Sequence, residues 1–339
     1  MKKRILLIAG GGTLGSYTSL ELLKRGYMVD VIALNDCTSL NRNLTWIQKS
    51  ADDALLLELF KAHHYNAIVD FIHYRDPEAY KARGKMLLEN TDQLVFLSSY
   101  RVYADVEHPI KETSPQLLNV VKDHYFLQNE TYAIPKSHNE NTIRASVRRN
   151  WTIIRPLISF SHFRLDMVTT GASELLIRSR EGKTILMPEA AKELTAGVGW
   201  AGNIGKMIAS LICNEKALGE AFTLGTGEVN TWGEVADMYT DLLGAKFAWI
   251  PTEDYLQNAT DNSFMQRCAL LYDRLFDRRI NTAKLFAAIG FSFSDFTKCY
   301  DGLVNELAFL SSNPSYTTRF DNSSFRARDA KADAYLASH

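Results

Sequence analysis

The most constraining stretch of the chain lies at its start. An apolar run, Arg4–Ala9, is followed at once by Gly10-Gly11-Gly12-Thr13-Leu14-Gly15 and then by a helical pattern over Leu14–Arg25. Few folds accommodate a G-x-G-x-x-G loop between a buried strand and a helix. Glycine lets the backbone turn sharply and come close to an anion, while the helix N-terminus offers unpaired N–H groups and the positive end of its dipole. The bland alternative is a tight strand–helix turn with no ligand. The position directly after a strand favours binding, so Gly10, Gly12, Thr13, Leu14 and Gly15 are candidates for cradling a dinucleotide pyrophosphate.

The pattern beyond this loop supports the same architecture. Met28–Leu34, Ala67–Ile72, Gln93–Ser98 and Trp151–Arg155 read as further strands, and Ala54–His63 reads as a helix. Such alternation implies right-handed crossovers and a parallel sheet covered on both faces. The expected class is α/β: a Rossmann-type doubly wound parallel sheet over residues 1–156, with a smaller C-terminal substrate lobe over 157–310. A segment of about 198–225 is expected to return to the first domain. Ser173–Arg180, Asn203–Cys213 and Thr231–Leu243 look helical, the last opening on a Thr231/Glu234 capping box. The tail, 311–339, is polar and expected to be loosely held.

Composition narrows the function. The formal net charge is −1, with 38 Lys plus Arg against 39 Asp plus Glu. A surface for nucleic acid or an anionic membrane needs a basic excess, so neither partner is expected. Cys37, Cys213, Cys268 and Cys299 are far apart without a CxxC pair, and the histidines show no HExxH spacing. No metal site is expected, and the cysteines suit a reducing, cytoplasmic compartment. The Ile5–Ala9 run is too short for a signal-peptide core, and no apolar run is long enough to span a membrane.

A dinucleotide loop of this kind expects an acid about 20 residues on, to hold the adenosine ribose hydroxyls. The second strand ends Leu34-Asn35-Asp36, which makes Asp36 the candidate. A carboxylate there repels a 2′-phosphate, so NAD is preferred and NADP is not excluded; the bland reading is a capped turn.

Tyr132-Ala-Ile-Pro-Lys136 places a phenol and an ammonium four residues apart. On a helix such residues share a face, and a lysine beside a phenol lowers the phenol's pKa, making it a usable acid/base for a substrate hydroxyl. The pair alone has a bland reading as a surface helix pair. Ser98 and Ser99 follow the Gln93–Ser98 strand, and in open α/β sheets ligands sit beyond the carboxyl ends of strands. A hydroxyl there can bind the reacting oxygen, although serines after a strand also serve as turn residues.

Taken together, the glycine motif, Ser98-Ser99-x-x-Val102-Tyr103, Tyr132/Lys136, Glu140 and Thr152-Ile-Ile-Arg-Pro156 resemble the short-chain dehydrogenase/reductase superfamily. The likeness is to its extended and atypical branches, the NAD-dependent epimerase/dehydratase family, and covers roughly residues 3–310. The resemblance implies that Tyr132 is the acid/base, that Lys136 tunes it and binds the cofactor ribose, and that Ser99 orients the substrate. It implies NAD as cofactor, a hydroxylated small-molecule substrate such as a nucleotide sugar, and a homodimer formed through helices flanking the site.

Several positions depart from that pattern. Ala9 stands where many members have a further glycine. Pro135 falls between the catalytic pair; inside a helix it costs about 3 kcal/mol, but it is harmless in a first turn. Tyr100 and Arg101 replace the acidic pair of dehydratases, which argues against dehydration and favours epimerase or reductase chemistry. Two other readings stay open: a reductase with exchangeable NAD(P)H, and a non-catalytic dinucleotide-binding or -sensing protein.

Overall fold

In the computed structural model, residues 2–37, 39–317 and 323–339 are described. The strands are β1 (Arg4–Ile8), β2 (Met28–Ala33), β3 (Leu44–Gln48), β4 (Ala67–Asp70), β5 (Leu94–Leu97), β6 (Trp151–Pro156), β7 (Ile158–Phe160), β8 (Thr184–Pro188), β9 (Val198–Trp200), β10 (Glu220–Leu224) and β11 (Lys246–Ile250). Seven of them form one sheet in the order β10-β6-β5-β4-β1-β2-β3, and every pairing in it is parallel. This is the doubly wound α/β sheet expected from the alternation.

The central strands are buried on both faces, which accounts for their unbroken apolar runs. Alternate residues divide between two cores. Ile5, Leu7, Val29 and Val31 pack with Ile204, Met207 and Leu211 on one face, where helices Thr13–Lys24 and Ala201–Leu211 lie against each other. Leu6, Ile8, Ile32, Ile68 and Phe96 point to the other face and meet Leu56, Tyr80, Leu87 and Ile143. Those come from helices Asp53–Ala62, Pro77–Glu89 and Ala133–Arg144.

The chain order reverses at β1, with β2 on one side and β4 on the other. This topological switch point opens a crevice at the carboxyl ends of the strands, where doubly wound sheets bind ligands. The chain then leaves the sheet after β6, builds part of the second lobe, and returns through β9, helix Ala201–Leu211 and β10, which pairs with β6.

The second lobe has its own core, including Leu165, Met167, Leu175, Ile185, Met187, Trp232, Tyr239 and Leu256. Two small parallel pairs, β8 with β11 and β7 with β9, stiffen it. Helix Trp232–Leu243 begins with the full capping box: Glu234 N–H donates to Thr231 Oγ1 at 3.1 Å, and Thr231 N–H to Glu234 Oε2 at 2.7 Å. It ends at Gly244, whose φ of +66° suits glycine.

The tail differs from expectation. Residues 323–338 form a helix that packs against helices Ala172–Arg180 and Thr252–Ala259. Ala332, Tyr335 and Leu336 pack against the lobe core, and charge reinforces the docking. The buried Arg178 guanidinium donates to Asp329 Oδ1 at 2.5 Å and Asp333 Oδ1 at 2.8 Å, while Lys183 Nζ donates to Asp329 Oδ2 at 2.9 Å. Among the described residues no helix is long and apolar enough to cross a membrane, and no His/Cys/Asp/Glu group could hold a metal ion.

Candidate active site

The glycine loop joins β1 to helix Thr13–Lys24. Its N-cap is Gly12, with no side-chain cap and no acidic residue in the first turn, so the first N–H groups and the dipole end remain available to an anion. A side chain at Gly15 would lie 2.3 Å from the Gly10 carbonyl oxygen, so this glycine serves close packing of helix on loop. A side chain at Gly12 would meet nothing within 4 Å; it would instead fill the open space over the helix end. That space and those free donors fit a dinucleotide pyrophosphate. Ala9 adopts φ +56°, a left-handed conformation that glycine takes without strain.

Beyond β2, Asp36 is exposed, and its carbonyl accepts a bond from Asn35 Nδ2 at 3.4 Å. Asn35 is the residue that faces the cradle: a side chain at Gly11 would come within 2.2 Å of its Oδ1. Asn35 is also held by Trp46 Nε1, which donates to its carbonyl at 2.8 Å. The structure thus brings Asn35 beside the glycines, next to Asp36 in the chain.

Past the carboxyl ends of β5 and β6 lies a cleft of about 220 Å³, lined by Thr13, Leu14, Ser99, Arg101, Tyr132 and Arg164 among others. It joins the helix end to the predicted chemistry. Ser99 is buried, and its hydroxyl accepts from Arg101 N–H at 3.2 Å, capping the short turn Tyr100–Val102. The turn role and the site role thus coincide in one residue.

Tyr132 is the N-cap of helix Ala133–Arg144, and Pro135 is the third residue of that helix. The proline sits in the first turn, where its missing N–H costs nothing. Glu130 Oε2 caps the same end, accepting from Tyr132 N–H and Ile134 N–H at 3.0 Å each. Lys136 N–H reaches back to the Tyr132 carbonyl at 3.3 Å, which brings the lysine below the tyrosine ring, with Nζ 5.4 Å from the ring centre.

The electrostatics make Tyr132 easier to ionise. Burial opposes ionisation of Tyr132, but Lys136, Arg101, a hydrogen bond from Ser99 and Arg164 together hold the phenol below its ordinary value. Lys136 is buried and pushed down by that burial, with Tyr132, Asp70 and Glu140 holding it up. Its Nζ donates to the Leu97 carbonyl at 2.7 Å. That is its one hydrogen-bond acceptor among the described residues, so two N–H donors remain for a ligand's hydroxyls.

Below this pair, Arg155 and Glu140 form a buried bidentate ion pair, with Nε–Oε1 at 2.8 Å and Nη2–Oε2 at 2.5 Å. Gln116 Nε2 also donates to Glu140, at 3.0 Å. Arg155 donates further to Tyr103 Oη at 2.7 Å and the Glu112 carbonyl at 3.0 Å.

Three neighbours of the site carry no motif in the sequence. The His73 ring packs on Tyr132 at 5.0 Å between centres, and its Nε2 donates to the Thr131 carbonyl at 2.7 Å. Burial pushes its pKa down, so a neutral imidazole buttresses the phenol. Arg164 and Arg274 line the cleft from the second lobe. Two tryptophans lie apart from the cleft lining: Trp232 is fully buried in the lobe core, and Trp200 Nε1 donates to Glu306 at 2.5 Å.

No protein-family model matches the sequence, and no curated protein does. Solved structures match over nearly the whole chain. The epimerase Mth375 of Methanothermobacter thermautotrophicus is 15% identical, with TM-score 0.69, covering 94% of this chain and 95% of that one. The enzyme WbmG of Bordetella bronchiseptica in complex with NAD is 18% identical, with TM-score 0.67 over 92% and 95%. The UDP-glucuronic acid 4-epimerase of Bacillus cereus, in complex with UDP-glucuronic acid and NAD, is 14% identical, with TM-score 0.65 over 91% and 99%. At these identities the likeness is one of fold, and this chain shares the fold of these proteins.

Proposed function

We propose that the protein is an NAD-dependent enzyme of the extended short-chain dehydrogenase type that acts on a hydroxylated substrate, a nucleotide sugar, as an epimerase. The observation that supports this reading is that Ser99 and Tyr132 line one cleft together with Thr13 and Leu14 of the uncapped helix end, with Lys136 Nζ 5.4 Å from the Tyr132 ring centre. Solved structures of the same fold hold NAD, and two of them hold a nucleotide sugar with it.

In this reading Gly12, Thr13 and Leu14 hold the pyrophosphate, Asn35 meets the adenosine ribose, and the free N–H groups of Lys136 bind the other ribose. Bound NAD supplies the hydride acceptor and donor. Tyr132, drawn toward phenolate by Lys136 and Arg101, takes the proton from the substrate hydroxyl and later returns it. Ser99 donates to the same substrate oxygen and fixes its direction. Tyr100 and Arg101 leave the position after Ser99 without a carboxylate, so no second base stands ready to abstract a proton for elimination. Epimerisation is thereby favoured over dehydration. A second copy is proposed to pair across helices Pro77–Glu89 and Ala133–Arg144, which flank the site.

The test has two parts. Protein denatured after purification should release near-stoichiometric NAD, and Tyr132→Phe should lower turnover by about 10²–10⁴-fold while leaving NAD bound. Unchanged turnover in Tyr132→Phe sinks the mechanism. Loss of NAD on simple dialysis points instead to a reductase with exchangeable cofactor.

A further inference from the structure

We infer that the reacting portion of the substrate carries an anionic group, a carboxylate or a phosphate, which Arg101 and Arg164 bind beside Tyr132. This rests on the reading of the cleft as an active site and names the class of molecule it takes. The observation is an imbalance of charge. Arg101, Arg164, Arg274 and Arg278 gather at the lobe side of the cleft, and two carboxylates meet them. Asp273, fully buried, contacts three of the four: Arg101 Nε at 3.1 Å, Arg278 Nη2 at 3.0 Å, and Arg274. Asp166 accepts from Arg164 Nε at 2.7 Å and lies 3.9 Å from Arg274. Glu130 Oε2 accepts from backbone N–H groups at the helix end, and none of the four arginines has an ion pair with it among the described residues.

Buried charges are ordinarily paired, because desolvating an uncompensated one is costly. Here four guanidiniums share the two carboxylates that contact them, Asp273 and Asp166. The two buried arginines satisfy themselves otherwise: Arg274 donates to the Val168 carbonyl at 2.8 Å and Tyr100 Oη at 3.1 Å, and Arg278 to the Tyr103 carbonyl at 3.2 Å. Arg101 does not. Among the described residues its two terminal nitrogens have no hydrogen-bond acceptor, and its guanidinium carbon lies 4.7 Å from the Tyr132 ring centre.

Position decides which part of the substrate the anion belongs to. A guanidinium against the acid/base ring can reach only groups within a bond or two of the reacting carbon. A diphosphate linking a sugar to a nucleoside would lie a sugar ring's width further away. The cofactor's pyrophosphate has its own seat at the uncapped helix end.

The test compares matched ligands on the NAD-loaded protein by calorimetry: UDP-glucuronate against UDP-glucose, glucuronate against glucose, and glucose 6-phosphate against glucose. At least one anionic member should bind about tenfold or more tightly than its neutral partner, as a charged hydrogen bond warrants. The pair that responds identifies carboxylate or phosphate. Arg101→Gln should erase that preference, with Arg164→Gln, on an exposed side chain, as the second variant if the first does not fold. Equal binding within every pair, including none at all, overturns the proposal, whereas failure of the wild type to bind NAD overturns the parent reading. If the variants instead lose NAD affinity about tenfold, the cofactor is the anion being met and the proposal also falls.

Discussion

Glu140→Gln isolates the ion pair beneath the site. Both partners are out of solvent, at 0% and 1% side-chain exposure. The substitution keeps the shape and removes the charge. It leaves the Arg155 guanidinium buried with only Tyr103 Oη and the Glu112 carbonyl, and it turns an amide N–H₂ toward donors on Arg155 or Gln116. Breaking one side of a buried pair costs about 3–5 kcal/mol. Unfolding entropy of about 2.1 cal/mol/K per residue gives this chain about 0.7 kcal/mol/K, so the melting temperature should fall by about 4–7 °C. Differential scanning calorimetry reads this directly.

The pH dependence gives an independent check on the same variant. Burial works to raise the Glu140 pKa, but the charge and hydrogen bonds of Arg155 outweigh it and hold the carboxyl below its ordinary value. Stability from a depressed carboxyl is complete above its unfolded pKa and lost as pH falls through the folded one. The gap between wild type and Glu140→Gln should therefore be full at neutral pH and close below about 4.3, the unperturbed glutamate value. A double variant, Glu140→Gln/Arg155→Met, should be less damaged than the sum of the singles. A melting temperature unchanged within a degree, or a gap constant down to pH 3, would refute the reasoning.

Three further outcomes are expected. Gly12→Ala should fold with wild-type stability and lose dinucleotide binding, whereas Gly15→Ala, whose side chain would strike the Gly10 carbonyl, should be destabilised before binding is considered; calorimetry and NAD titration separate the two. Ala9→Gly should gain about 0.5–1 kcal/mol, since it relieves a left-handed alanine at some cost in chain entropy, and a lowered melting temperature would count against strain at that turn. With Tyr132 held below its ordinary value, the rate of alcohol oxidation should rise with pH and level off below about 10; a limb still rising above that pH contradicts the role of Lys136 and Arg101.

The central sheet was legible because its strands are apolar on both faces and the glycine loop anchors their order. Strand β3 was not. It is a half-exposed edge, and its polar residues hide the pattern. Ser99, Tyr132 and Lys136 could be found because each lies at a fixed distance from a strand end or from another member of the set. Arg164 and Arg274 could not, since they arrive from the second lobe through folds of the chain that no local spacing encodes. The position of Pro135 needed only the helix start, and the structure places that at Ala133.

The docking of helix Ser323–Ser338 has a consequence for the order in which the protein is made. Arg178 waits through 151 residues of synthesis for Asp329, whereas β1, β2, β3, β4 and β5 have all emerged before residue 98. Five of the seven sheet strands can pair, and the glycine loop can close, while the second lobe still holds an unmatched guanidinium in its interior. The lobe that selects the substrate is thus the last part to become whole, and a chain stopped short of Asp329 would bear a built dinucleotide half beside an unfinished one.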